Sequence, residues 1–145
     1  MENNIYKVHA PQDYIVAACL LAVGVALFFV NKAFGVTIIL IALIEFLIFK
    51  SGYKVEGDKL LLKKKSLELS KHCRSSVLDF LEGKTQDPKF LYGNDGGTIM
   101  LEIWYNEKGQ VAYARLLDYV DFSFQKATDI LKLSEVNASK IIAKL

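Results

Sequence analysis

Two long apolar runs, Tyr14 to Val30 and Ala33 to Phe49, stand back to back with only Asn31 and Lys32 between them. Each is about 17 residues long, roughly 25 Å of α-helix at ~1.5 Å per residue, just under the ~30 Å hydrocarbon core of a bilayer. Ala10, Pro11 and Lys50 are placed to lengthen the helices by a turn. The pattern predicts a transmembrane helical hairpin, with helices over about 12–31 and 33–50. A cleaved signal peptide fits poorly, because the first run starts late, has no strongly basic leader and is followed at once by a second run. A helical hairpin buried in a soluble protein would need a larger surrounding domain than this chain supplies.

The chain is 52% hydrophobic, but this average hides two compositions. Tyr14 to Val30 carries no charge, and the stretch after Ser51 carries nearly all of it. The expected organisation is therefore an N-terminal segment and hairpin over 1–50 and a small β-rich domain over 51–145. A net charge of +2 is too weak to imply nucleic acid. The two cysteines, Cys19 and Cys73, are split between the two parts and fit free thiols in a reduced compartment better than a disulfide.

Lysines set the expected orientation. Lys50, Lys54, Lys59, Lys63, Lys64 and Lys65 follow the second run, whereas the tight loop carries only Lys32 and the N-terminus Lys7. The positive-inside rule then places both termini in the cytoplasm, with bacterial inner membrane as the expected location. Tyr14, Phe49 and Tyr53 fall at the interface, where aromatic rings are favoured.

The helices carry two candidate features. Ala18, Ala22 and Ala26 recur every four residues with Gly24 nearby, a small-residue stripe that lets another helix approach closely. It serves packing inside the hairpin or contact with a partner subunit. Glu45 is the one acid within the apolar runs, about a turn from the cytoplasmic end. It reaches the headgroups, bonds the other helix, or handles an ion or proton; no second acid at comparable depth supports a relay.

After Ser51 the pattern alternates. Tyr53 and Val55 interleave with Lys54 and Glu56, Gly57-Asp58 marks a turn, and Lys59 to Lys65 is a second strand, which predicts a β-hairpin. Thr98 to Tyr105 and Gln110 to Leu117 predict another, joined by Asn106-Glu107-Lys108-Gly109 with Gly109 free to take positive φ. Phe122 and Phe124 alternate again, and Asp129 to Leu133 reads as a last strand. Within Ser66 to Lys84, Leu69, Cys73, Val77 and Leu81 keep helical spacing, but Ser76 to Glu82 reads better as a strand ending at Gly83. Ser134 as N-cap and Ala138, Ile141, Ile142 and Leu145 predict an amphipathic helix over about 134–145.

In this order of elements the chain resembles the membrane-anchored bacterial PH-like proteins. The resemblance is carried by Tyr53-Lys54-Val55-Glu56-Gly57-Asp58-Lys59-Leu60, by Leu67-Glu68-Leu69-Ser70 leading into Ser76 to Gly83, and by the helix from Ser134. It implies an antiparallel sheet or barrel capped by a helix, serving binding or assembly. It supplies no catalytic residues.

Catalytic patterns are absent from the sequence. Gly93-Asn94-Asp95-Gly96-Gly97 lacks the Lys-Ser/Thr ending of a P-loop, His72-Cys73 have no further ligands at zinc spacing, and no Gly-x-Ser-x-Gly elbow occurs. No enzyme activity, cofactor, metal or small-molecule substrate is expected. Lys63-Lys64-Lys65 with Lys50 and Lys54 form the best candidate for lipid-headgroup contact, worth about 1 kcal/mol per lysine near an anionic surface. The expected function is a non-catalytic membrane adaptor that binds a protein or forms a homo-oligomer, with anionic-lipid binding or a small transport role as the alternative.

Overall fold

The computed structural model describes residues 3–93 and 96–145; Asn94 and Asp95 of the glycine-rich loop lie outside the described residues. The chain divides into a helical unit, residues 6–54, and a sheet unit made of residues 1–5 and 55–145.

The helical unit is built from α1 (Pro11–Val30) and α2 (Lys32–Ile48). Pro11 opens α1 at the position where a missing N–H costs nothing. Asp13 accepts from the Ala10 N–H at 2.8 Å, which satisfies an amide just ahead of the helix. Asn31 ends one helix and starts the next. Its N–H donates to Leu27 O, while its side-chain oxygen accepts from Ala33 N at 3.1 Å and Phe34 N at 3.4 Å. One polar residue thus reverses the chain.

Small residues set the approach of the two helices. Gly24, Gly35 and Ala42 are buried between them. A Cβ at Gly24 would lie 2.8 Å from Ile39 Cγ1, and one at Gly35 would run into the Phe28 backbone. Most remaining side chains are apolar and exposed, among them Val23, Phe29, Leu40 and Leu47. Among the described residues only α1 is long and apolar enough to cross a membrane by length and composition; α2, with 17 residues, falls short. The predicted pair of spanning helices therefore meets that criterion at one helix.

Short strands flank the helix pair. β1 (Ile5–Val8) and β2 (Gly52–Val55) form a two-stranded sheet with each other. The predicted hairpin between Tyr53–Glu56 and Lys59–Lys65 does not form. The segment before α1, read from sequence as a mere flank, supplies the partner for β2.

The sheet unit is a meander of β3 (Lys63–Ser70), β4 (Thr98–Asn106), β5 (Val111–Val120) and β6 (Ser123–Lys126), all antiparallel, with the short β7 (Leu131–Lys132) also pairing with β5. It remains open, with β3 at one edge. A 3-10 turn, Lys71–Cys73, leads into α3 (Arg74–Leu81), and α4 (Glu135–Ile142) closes the unit. The strand predicted over Ser76–Glu82 is therefore helix. Val77, Phe80 and Leu81 are buried at i, i+3 and i+4, so the helical period decides over the local β-forming residues.

The core lies between one sheet face and these two helices. Leu69, Ile99, Leu101, Ile103, Ala112, Ala114 and Leu116 meet Cys73, Val77, Phe80, Ala138 and Ile141. Each large apolar side chain buried there contributes about 1.5–3 kcal/mol. Ser134 caps α4 by accepting from Asn137 N at 3.3 Å. Buried Asn137 donates to Phe80 O at 2.9 Å and Thr85 O at 3.3 Å, tying α4 to the end of α3.

Turn chemistry departs from the sequence reading at two hairpins. Between β4 and β5 the positive φ falls on Gln110 (49°), not on Gly109. Asn106 organises that turn by accepting from Gly109 N at 2.6 Å. Between β5 and β6, Val120 pairs with Ser123, leaving a two-residue turn in which Asp121 (49°) and Phe122 (61°) both take positive φ. That is the type I′ geometry, which ordinarily selects Asn-Gly.

Candidate functional site

The sheet face turned away from the core carries the densest chemistry. Strand register places Lys64, Trp104, Tyr113 and Lys132 in one row across β3, β4, β5 and β7, with Ser66, Glu102 and Arg115 in the next. Glu102 is only 6% exposed, so its charge must be matched. Arg115 Nε donates to it at 2.6 Å, and Lys64 Nζ donates to its other oxygen. Burial pushes the Glu102 carboxyl up and is the largest single influence. The hydrogen bonds and charges of Lys64 and Arg115 together outweigh it, and the group is held below the usual carboxylate range.

Trp104 lies beneath this triad. Lys64 Nζ is 5.2 Å and Arg115 Cζ 5.4 Å from its ring centre, within cation–π range. Lys132 stands 5.9 Å from the neighbouring Tyr113 ring. Two cations, one carboxylate and an indole thus form a closed cluster. Its chemistry is the pairing of the buried carboxylate, with one positive charge left over, and the ordering of the sheet face.

This geometry separates the three lysines that look contiguous in sequence. Side chains alternate along a strand, so Lys64 joins Glu102 while Lys63 and Lys65 lie on the other face. Lys63 Nζ donates to Glu107 at 3.1 Å, which raises its pKa. Lys65 Nζ donates to the backbone oxygen of Leu145. Lys50 is exposed beyond α2, and Lys54 is half-buried on β2. Lys63, Lys64 and Lys65 are thus divided between two faces of the sheet, each with its own partner.

In the helical unit, Gly24 faces α2, whereas Ala18, Ala22 and Ala26 are exposed, with Ala18 bordering a groove shared with Ala42, Leu43 and Phe46 of α2. Glu45 lines a cleft of about 340 Å³ with Gln12, Asp13, Val16, Ala17, Phe46, Phe49 and Ser51. A second acid, Asp13, just ahead of the first apolar run, lines the same cleft as Glu45. Asp13 is engaged, accepting from Ser51 Oγ at 2.6 Å and Ser51 N at 3.0 Å. His9 stacks on Phe46 with ring centres 4.5 Å apart.

Sequence reasoning missed Glu102, Arg115 and Asp13. A signal existed for the first: an acid inside the apolar strand Ile99–Tyr105 requires a cation opposite, and Arg115 is the one cation in the next strand. Among the described residues no group of three or more His, Cys, Asp or Glu side chains forms a set able to hold a metal ion. Comparison with protein families, curated protein sequences and solved structures found no match for this chain.

Proposed function

We propose that this protein is a non-catalytic, membrane-anchored module whose helix pair inserts as a two-crossing hairpin and whose sheet unit binds a protein partner at the cytoplasmic face. The reading is carried by the pairing of β1 with β2 around an apolar helix pair. β1 enters α1 and β2 leaves α2, so these strands hold the two outer helix ends on one side. If α1 crosses a bilayer, α2 has to return through it.

Two further observations support membrane insertion. The most apolar window of α1 is only 6% buried, unlike a helix at the core of a soluble domain. Its companion α2 exposes Phe34, Leu40, Ile44, Leu47 and Ile48. At about 25 Å, α2 is a few Å shorter than a ~30 Å core, a mismatch that local thinning of the bilayer absorbs. Lysine asymmetry favours the cytoplasmic side for the sheet unit. The alternative, anionic-lipid binding through Lys63, Lys64 and Lys65, is weakened because each already holds an intramolecular partner.

The test is extraction followed by cysteine labelling in intact cells. In a Cys19→Ser, Cys73→Ala background the protein should stay in the membrane pellet at alkaline pH. A cysteine at Asn31 should react with an impermeant maleimide added outside, and one at Lys144 should not. Release by alkali, or labelling at Lys144 from outside, overturns the proposal.

A further inference from the structure

The β5–β6 end of the sheet holds a group of exposed apolar and aromatic residues. Phe122 is 94% exposed at the tip, in a left-handed conformation that a large side chain rarely adopts. Tyr119 and Val120 beside it are also exposed. The Tyr119 and Phe124 rings meet with centres 5.0 Å apart and planes at 58°, making an aromatic corner. With Glu68 and Thr98 they line a notch of about 220 Å³.

Glu68 decides what the notch suits. Its carboxylate has no hydrogen bond or ion pair among the described residues, unlike Glu102, Glu107 and Asp118. An unpaired carboxylate beside two π-faces attracts a cation, and an alkyl-stemmed cation best of all. Asp121 adds a second negative charge at the tip, while nearby Lys126 is already paired with Asp129 at 2.6 Å. This surface therefore repels anionic lipid and complements a basic segment.

Within the sheet unit the tip is the far end of β5 from Tyr113. Within the sheet unit, the segments leading to the helices are fixed at the other half of the sheet. Asn3 bonds Ile130 O, Leu61 O accepts from Asn106, and Asp58 faces Tyr113 OH. From Tyr113 to Val120, β5 runs roughly 23 Å at ~3.3 Å per residue.

We propose that the β5–β6 tip docks a polypeptide partner that presents arginine or lysine beside apolar side chains, the cation seated among Glu68, Tyr119 and Phe124 and the apolar neighbours on Val120 and Phe122. This rests on the reading of the protein as a membrane-anchored binding module and names the surface and partner chemistry.

The test uses the full chain in phosphatidylcholine nanodiscs, with empty discs as baseline. The probes are a short fluorescent peptide alternating leucine with arginine and its counterpart carrying glutamate for arginine. The arginine peptide should bind and the glutamate peptide should not. Glu68→Gln and Phe122→Gly should each weaken binding about tenfold, and Glu68→Lys should reverse the preference. Phe122→Gly must melt no earlier than the parent, so that its loss is not unfolding. Equal binding of both peptides, or no reversal with Glu68→Lys, overturns the proposal. A blue shift of a polarity-sensitive dye on Phe122→Cys in discs without peptide overturns it in favour of the bilayer, and Phe122-dependent pairing of chains in favour of a second copy. Co-elution of the chain with the discs reports membrane anchoring separately, so anchored protein that ignores both peptides defeats this inference alone.

Discussion

Asp13 and Ser51 clasp the open end of the helix pair: the Asp13 carboxylate accepts both the Ser51 N–H at 3.0 Å and the Ser51 hydroxyl at 2.6 Å. The same carboxylate accepts from Ala10 N, so one side chain satisfies donors ahead of α1 and after α2. Gln12 adds a bond to the Ser51 hydroxyl at 3.0 Å. Asp13→Ala should leave two backbone amides without partners and let the strands β1 and β2 fray. Hydrogen exchange in detergent should show the Ser51 and Ala10 amides losing protection. Ser51→Ala should be milder, because its backbone N–H still reaches Asp13. Unchanged protection in Asp13→Ala would show that strand pairing alone holds the ends.

The opposite end depends on glycine. A Cβ at Gly35 has no room against the Phe28 backbone, which cannot move without opening the turn at Asn31. Gly35→Ala should destabilise the hairpin by about 1–3 kcal/mol, the usual cost of overpacking a rigid contact. Ala22→Leu lies on an exposed side of α1 and should leave the monomer's stability within about 0.5 kcal/mol. Unfolding of both variants in the same micelles checks the contrast. If instead Ala22→Leu changes the oligomer size at fixed detergent, the exposed alanine stripe contacts another helix.

The sequence disclosed the helix pair because Asn31 and Lys32 are the only polar break between two apolar runs. It disclosed the β4–β5 hairpin because alternation is continuous through Ile99, Leu101 and Ile103. It concealed β1, since Ile5–Val8 is only four residues long and its partner β2 lies beyond both helices. It concealed α3, since Val77-Leu78-Asp79-Phe80-Leu81 is too short for local propensity to separate helix from strand, and burial against β5 makes the choice. The charged cluster was hidden for a third reason. Lys63, Lys64 and Lys65 read as one patch until strand alternation and the Glu102–Arg115 register distribute them.

Phe122 offers a test in which a mutation should strengthen the fold. A side chain at φ 61° meets its own backbone, and glycine does not. Phe122→Gly should therefore stabilise the sheet unit by about 1 kcal/mol, after allowance for the greater freedom of unfolded glycine. Chemical denaturation followed by Trp104 fluorescence measures it. Destabilisation would mean that the exposed ring packs against something in the folded protein.

The Glu102 triad fixes a dependence on acid. Burial, the largest single influence, pushes its carboxyl up, but the hydrogen bonds and charges of Lys64 and Arg115 together outweigh it and hold the group below the ordinary value. A depressed folded-state pKa contributes stability that is complete above the unfolded value of about 4.3 and is lost as pH falls through the folded value. Asp118, lowered chiefly by its hydrogen bonds from Arg74, adds to the same trend. Glu102→Gln preserves shape but leaves Lys64 and Arg115 beside a neutral amide, so it should cost about 1–3 kcal/mol at neutral pH. The gap to the parent protein should narrow as pH falls below about 4.3, where the unfolded parent begins to bind a proton that its folded state still resists and the variant cannot bind. Paired denaturation curves from pH 7 down to pH 3 measure this, and a gap that stays constant across the series would show that folding leaves the Glu102 carboxyl unshifted.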